Sequence, residues 1–541
     1  MAHKISPDPS LPKRGNSVKW PTSLRKESKS VSCLTGIIFL GSLIFLSFSL
    51  LKGFDGGIVD MHGFRQTQTA ITVRYLLKGG PWLAYETPVL GPPWSIPFEF
   101  PLYQWLVALT AQTGFFPLEQ AGRVVGIFFF LSTLYPFYKI LRTLSLKTSS
   151  TYLVLSLYCL SPQYLFWSRT FMIESTALSL SMYYLWFSML WDAHTHSAKK
   201  DMFMLSGLAV SGSLAAAVKI TTFFPFWTAA FGLFLWRWLK ATDWGKRWER
   251  SRLLPVIQFL AAAFLIPLAA LLCWTSYSDA LKSLNPLAQT LTSSALREWN
   301  FGSLPQRLAP ATWKIFFSRT ITDLIGNRWL LAAAVLSALF CRRDRRITFF
   351  VFLLLFIIPL LTFTNLYLIH NYYAYANGVF LIAAVGVASS GLLESRNYLR
   401  RAAGGLLACS IIVFSVHHYL TSFYPVQGMT IDASPVKNEI GLLTKDSDVI
   451  VVFSDDWSSE IPYYLDRRAV MFGSNDLAAP SFQKTKQNLR GYRIGAIIFT
   501  NNADLSGNFV RNALSQFGFS AAYPHIFSTM AVYYNPYIRF R

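Results

Sequence analysis

Charge is what this chain has least of. Asp, Glu, Lys and Arg together make up 14% of its 541 residues, against 53% hydrophobic and 16% aromatic, a balance that excludes an ordinary soluble domain of this length. Cysteine is scarce as well. Cys33, Cys159, Cys273, Cys341 and Cys409 all lie in or beside hydrophobic runs, so neither a disulfide framework nor a zinc ligand set is expected. No internal repeat is visible. A cleavable leader is not expected either, because Ser32 to Leu51 is long for a leader's apolar core and lacks a small-residue cleavage site. The formal net charge is +22, yet the basic residues form no patch interleaved with exposed aromatics, which argues against nucleic acid.

What the chain has instead is hydrophobic length. Runs near or above the roughly 18 apolar residues that a bilayer-spanning helix needs recur at about 34–51, 123–141, 151–167, 172–191, 202–217, 221–238, 253–274, 327–341, 347–366, 374–392 and 402–420. The expected fold class is a polytopic α-helical membrane protein of about eleven transmembrane helices, with a C-terminal soluble α/β domain. Lys4, Lys13, Arg14, Lys19, Arg25, Lys26 and Lys29 precede the first run, so the positive-inside rule puts the N-terminus in the cytoplasm. Arg142 with Lys147, Lys199 with Lys200, the stretch 237–252, Arg342 to Arg346, and Arg396 with Arg400 and Arg401 then all fall inside. A twelfth span over 102–116 would reverse that order, so the segment is read as an interfacial helix anchored by Tyr103 and Trp105.

This divides the chain into a basic disordered arm at 1–31, a membrane domain at 32–424 with a long first external loop at 52–122, and an extracytoplasmic domain at 425–541. The expected location is the cytoplasmic membrane. In the tail, Asp448 to Phe453 and Ile494 to Thr500 read as buried strands, and Val436 to Thr444 and Phe509 to Phe517 have helical spacing.

Several polar groups stand on the outer face where each must be hydrated or paired. The segment Asp60-Met-His-Gly-Phe-Arg-Gln-Thr-Gln-Thr-Ala70 offers Asp60, His62, Arg65 and Gln66 just after the first run. Glu174 closes Trp167-Ser-Arg-Thr-Phe-Met-Ile-Glu174, with Arg169 as a local candidate partner. Glu99 lies in Pro97-Phe-Glu-Phe-Pro-Leu-Tyr-Gln-Trp105, and Lys219 lies between two apolar runs, either snorkelling or holding phosphate. His370-Asn-Tyr-Tyr-Ala-Tyr375 adds His370 and Tyr372, in a setting where an aromatic belt is the more ordinary reading of the tyrosines. Asp455 to Tyr464 follows a strand, where open α/β sheets bind ligands, or it rests on the membrane domain.

The order of these features resembles the GT-C glycosyltransferases, in particular the branch of protein O-mannosyltransferases and the lipid A aminoarabinose transferase. The resemblance spans the chain in topology and three short stretches in residues: 60–70, 99–105 and 167–174. It implies transfer of a sugar from a polyprenyl-phosphate donor to a glycan, lipid or protein acceptor at the outer face. It also implies a base or acceptor-positioning acid at Asp60. The family has an Asp-Glu pair here, whereas this chain continues with Met61 and His62, so His62 is the other candidate for an acid's place. The family's phosphate-touching lysine is replaced by Phe100, which leaves that role to Lys219 or Arg65.

On this reading Asp60 and Glu174 are the catalytic candidates. Arg65, Arg169 and Lys219 hold phosphate, and Gln66, His370 and Tyr372 line the substrate. His62 and Glu99 tune the base or bind a divalent ion, and no resident metal or cofactor is otherwise implied. The alternative is a transporter or flippase of a lipid-linked saccharide, which would place ionisable groups at mid-bilayer.

Overall fold

The computed structural model describes residues 29–191, 198–240, 250–430, 434–454, 456–473, 475–500, 507–527 and 530–536. The N-terminal arm up to residue 28, the basic residues at 241–249 and Asp455 lie outside the described residues.

Helices dominate. Among the described residues seven are long and apolar enough to cross a membrane: Val31–Leu51, Leu118–Thr143, Asp201–Lys240, Leu253–Ser283, Arg343–Thr362, Asn371–Leu393 and Tyr398–Phe423. This is a multi-pass membrane protein. The outer helices expose large apolar side chains such as Ile37, Ile44, Leu272 and Leu406, as lipid-facing surfaces do. Asn371–Leu393 is the axis, buried along nearly its whole length.

One helix is longer than a bilayer is thick. Ala198–Lys240 runs 43 residues, but Lys219 breaks it with extended backbone, φ −161° and ψ 92°. Contacts with the neighbouring helix Glu174–Leu190 show how the two arms run. Phe203 on the first arm packs on Phe187 at 5.5 Å, and Arg237 on the second arm donates to the carbonyls of Ser188 and Met189. Both ends of the long element therefore lie beside the end of that helix, while Lys219 lies beside its start at Glu174. The two apolar runs at 202–217 and 221–238 are the arms of a hairpin with Lys219 at its tip.

The first loop is folded, contrary to its polar look. It contains the helices Gly63–Leu77 and Leu102–Gln112. Tyr103 differs from its expected role as a lipid anchor, because it is fully buried, donates to the Gly122 carbonyl at 2.8 Å and meets Phe171. Phe100 N–H donates to the Ala217 carbonyl at 3.1 Å, so the first loop captures an acceptor that the hairpin break sets free.

The tail strands are β1 Val449–Phe453, β2 Arg468–Phe472, β3 Ile494–Thr500, β4 Pro524–Phe527 and β5 Met530–Tyr534. They form a five-stranded sheet in the order β2-β1-β3-β5-β4. The first three are parallel, and β5 runs antiparallel to both β3 and β4. Helices Ser434–Leu443 and Gly507–Gln516 accompany it. The edge at β2 is covered by the first loop: Ala469 and Met471 donate to Pro88 and Val89, and Gly91 donates back to Ala469. An open strand edge invites foreign pairing, and this one is closed by the chain itself. First loop and sheet domain therefore share one side of the helices.

Candidate functional site

Asp60 and Arg169 form a buried pair on that side. Arg169 Nη2 is 2.5 Å from Asp60 Oδ2, with the side chains 0% and 1% exposed. Oδ2 also accepts from Gly428 N–H at 3.2 Å, and Oδ1 accepts from Gln66 Nε2 at 2.7 Å and Met61 N–H at 3.1 Å. Gln66 completes the network by accepting from Phe171 N–H at 3.0 Å. Arg169 Nε and Nη1 find no partner among the described residues. Arg123 clamps the loop just before, donating to the carbonyls of Phe54, Gly56 and Gly57.

The sequence made Arg169 the local partner of Glu174. The structure instead joins Glu174 to Lys219, 45 residues on, through Oε1. A hairpin tip can bring a distant cation where a turn cannot bring a near one, since Arg169 is already committed to Asp60. Lys219 is thus not free of an acid; its ammonium also lies 4.5 Å from the Tyr373 ring centre and 5.2 Å from that of Tyr372. Glu174 begins its helix, where an anion is favoured by the helix dipole, and its Oε2 is buried without a partner.

His62 faces this second pair. It precedes the helix Gly63–Leu77 in a left-handed conformation, φ 47° and ψ 48°. Its ring lies 4.9 Å from Tyr372, 5.5 Å from His370 and 5.7 Å from Trp167, centre to centre. Nε2 meets Asn371 Oδ1 at 3.0 Å. Burial lowers the His62 pKa below its usual value against the opposing Asn371 contact. For His370, burial with the fields of His62, Lys219 and Arg65 lowers it to about 4.

Arg65 projects from the same helix and pairs with Glu99, while also donating to Gln68 Oε1 at 2.5 Å. Glu99 is therefore engaged by a cation and not by His62. Among the described residues no group of three or more His, Cys, Asp or Glu side chains converges as a metal site.

The candidates fall into three groups: the sealed network of Asp60, Gln66 and Arg169; the Arg65–Glu99 pair; and the cluster of His62, His370, Tyr372, Lys219 and Glu174. Sequence reasoning missed Arg123, Asn371, Trp167, Tyr373 and Arg319. The last donates to the carbonyls of Tyr367 and Leu368 from a one-turn π-helix, and nothing in its local sequence marks it. Asn371 stood in plain view beside His370.

The sheet domain reaches this region through residues 457–466, which rest on the first-loop helix. Trp457 packs between Phe64 and Phe98, Ser459 meets Thr67 and the Phe64 carbonyl, and the Glu460 carboxylate accepts from Phe64 N–H. Gly63 makes room for Glu460, because a Cβ there would come within 2.5 Å of its carboxylate oxygen. A cleft of about 480 Å³ at the other end of this helix, lined by Tyr75, Lys78, Glu86, Asp446 and Arg468 among others, holds none of the candidates.

No family model matches the chain, and no curated protein matches it in sequence. Solved structures do match its fold. ArnT from Cupriavidus metallidurans, bound to undecaprenyl phosphate, aligns over 91% of this chain and 98% of its own with a TM-score of 0.56 and 12% identity. The archaeal oligosaccharyltransferase AglB from Archaeoglobus fulgidus, in complex with an inhibitory peptide and a dolichol-phosphate, aligns over 87% of this chain and 69% of its own, with a TM-score of 0.53 and 11% identity. The mycobacterial arabinofuranosyltransferase AftD aligns over 93% of this chain and 40% of its own, with a TM-score of 0.54 and 14% identity. The chain shares its fold with these three proteins.

Proposed function

We propose that this protein transfers a sugar from a polyprenyl-phosphate carrier to an acceptor hydroxyl at the outer face of the cytoplasmic membrane. The observation that carries this reading is the cluster at the hairpin tip. A cation paired to a half-satisfied acid, two imidazoles and stacked tyrosines converge beside the first loop of a chain with the GT-C fold. Sugar transfer from a lipid phosphate asks for cations where the leaving group's charge develops and an acceptor for the hydroxyl proton.

Lys219 and Arg65 are the cations we assign to the lipid phosphate, each held in place by an acid, Glu174 and Glu99. Glu174 keeps one carboxylate oxygen to orient an acceptor hydroxyl. His370 and Tyr372 line the space, and Gln66 and Arg169 support the loop through Asp60. Asp60 competes with His62 for the base. We take eleven spans, counting both hairpin arms and the shorter apolar helices, with the N-terminus in the cytoplasm and residues 425–541 outside as a separate domain.

The test is release of undecaprenyl phosphate by the purified protein in nanodiscs from a panel of undecaprenyl-phosphate-linked hexoses, pentoses and amino sugars. Release that depends on an added acceptor supports the reading. Movement of the intact lipid between leaflets without release would replace it with a flippase.

A further inference from the structure

We propose that His62, held by Asn371, takes the proton from the acceptor hydroxyl, and that Asp60 is a positioning residue. This rests on the transferase reading of the same site.

A base needs a free lone pair within reach of substrate. Asp60 has none to spare: Gln66, the Met61 N–H, Arg169 and the Gly428 N–H occupy both oxygens. Protonating it would also strand the wholly buried Arg169 guanidinium, two of whose nitrogens already lack partners. Glu174 has a free oxygen, but its charge is the counterion of Lys219, and a proton on Glu174 would release that lysine.

His62 is built the other way. The Asn371 amide oxygen faces Nε2, so Nε2–H donates to it and Nδ1 keeps its lone pair. Among the described residues no group is recorded in a hydrogen bond with Nδ1. A second residue that fixes the ring's tautomer and orientation is how imidazole bases are held. The left-handed backbone at His62 is uncommon for a residue other than glycine, and such conformations persist where surrounding structure enforces them. Around the ring stand Trp167, Tyr372 and His370, with Arg319 and Glu174 acting from further off. His370 is the poorer base, because it stays neutral down to about pH 4 and its Nδ1 is buried.

The step balances as follows. The acceptor oxygen bonds to the anomeric carbon while its proton passes to His62 Nδ1. The bond from that carbon to the phosphate oxygen breaks, and its electron pair leaves with polyprenyl phosphate, whose charge Lys219 and Arg65 meet. The imidazolium then returns its proton to solvent.

The experiment uses the full chain in nanodiscs and two readouts: binding of undecaprenyl phosphate alone, and its release from the same donor panel between pH 5 and 9. The wild type is read first; binding without release from any donor overturns the transferase reading and this proposal with it. Where the wild type turns over, His62→Asn is expected to bind undecaprenyl phosphate normally, since asparagine tolerates left-handed backbone. Its release should fall about 10²- to 10⁴-fold and be partly restored by added imidazole. Asn371→Asp should move the acidic limb of the pH profile upward, because a carboxylate beside Nε2 stabilises the imidazolium. Release by His62→Asn within tenfold of wild type, absence of imidazole rescue, or an unmoved acidic limb in Asn371→Asp would each overturn the assignment and return the base to an acid.

Discussion

The Asp60–Arg169 and Glu174–Lys219 pairs lie on the same side of the helices, and they are finished at opposite ends. In the first the acid is complete, with four donors on its two oxygens, and the guanidinium keeps two nitrogens without partners. In the second the cation is complete, covered by two tyrosine faces, and the acid keeps one buried oxygen without a partner. A buried charge without its counterion is expensive, so removing either acid should hurt, but in different currencies. The first pair holds a loop together, and the second lines the space that we propose to be reactive.

The sharpest way to break this contrast is Asp60→Ala. It strands Arg169 in a site with no water access, and should cost about 3–5 kcal/mol of stability, read as a lowered melting temperature and poor yield in detergent. If Asp60→Ala folds as well as wild type and only turnover is lost, the two pairs are alike and Asp60 is machinery.

Next in size is Lys219→Met, which keeps the hydrophobic stem against the tyrosines and removes the charge. Release of undecaprenyl phosphate from a lipid-linked sugar should fall about 10²- to 10³-fold, the scale of one lost transition-state donor, with the melting temperature lowered too, because Glu174 is left buried without its counterion. A large stability loss with normal turnover of the folded fraction would make this pair structural too. Arg65→Ala is expected to be milder in rate. It should weaken undecaprenyl phosphate binding about tenfold, because Lys219 remains, and unchanged binding would leave Lys219 as the sole phosphate cation.

The smallest effect belongs to the contact between first loop and sheet domain. Burial pushes the Asp466 carboxyl up, but the salt bridge from Lys78 and the field of Arg74 outweigh it and leave its pKa below the usual value. A depressed carboxylate stabilises the fold above its unfolded pKa and loses that contribution as pH falls through its folded pKa. Half-exposed, the group should give less than about 1 kcal/mol. Asp466→Asn should therefore melt slightly lower at pH 7 and match wild type well below pH 3.8, and an equal gap at both pH values would remove the charge argument.

Much of the fold was legible because membrane helices and buried strands write themselves as apolar runs. The runs at 374–392 and 402–420 became the helices Ala374–Leu393 and Tyr398–His418, and β1 and β3 matched the two runs in the tail. Gly63–Leu77 was not legible as a helix, since it buries Gln66, Thr67, Gln68, Thr69 and Thr72, side chains that hide among polar partners and leave no apolar stripe. β4 was missed because it opens on Pro524 and is largely exposed. Of the site, the residues on one segment were readable and their pairings were not. Glu174 meets Lys219 only because the hairpin turns back, and Asp60 takes Arg169 from over a hundred positions away. Sequence proximity suggested Arg169 for Glu174, and tertiary geometry exchanged the partners.

The strip of first loop that closes the β2 edge pairs Leu90 with Val470, about 380 positions apart. A ribosome adding about 5–20 residues per second needs roughly 20 to 80 seconds to cover that distance. During that interval Pro88 to Gly91 has already left the ribosome with no strand to pair with, and the site-bearing helix beside it lacks Ser459 and Glu460. Assembly of the proposed site is thus timed by the end of translation. A nascent chain halted before β2 should be membrane-inserted yet protease-sensitive between residues 60 and 100, and it should become resistant only once the tail arrives.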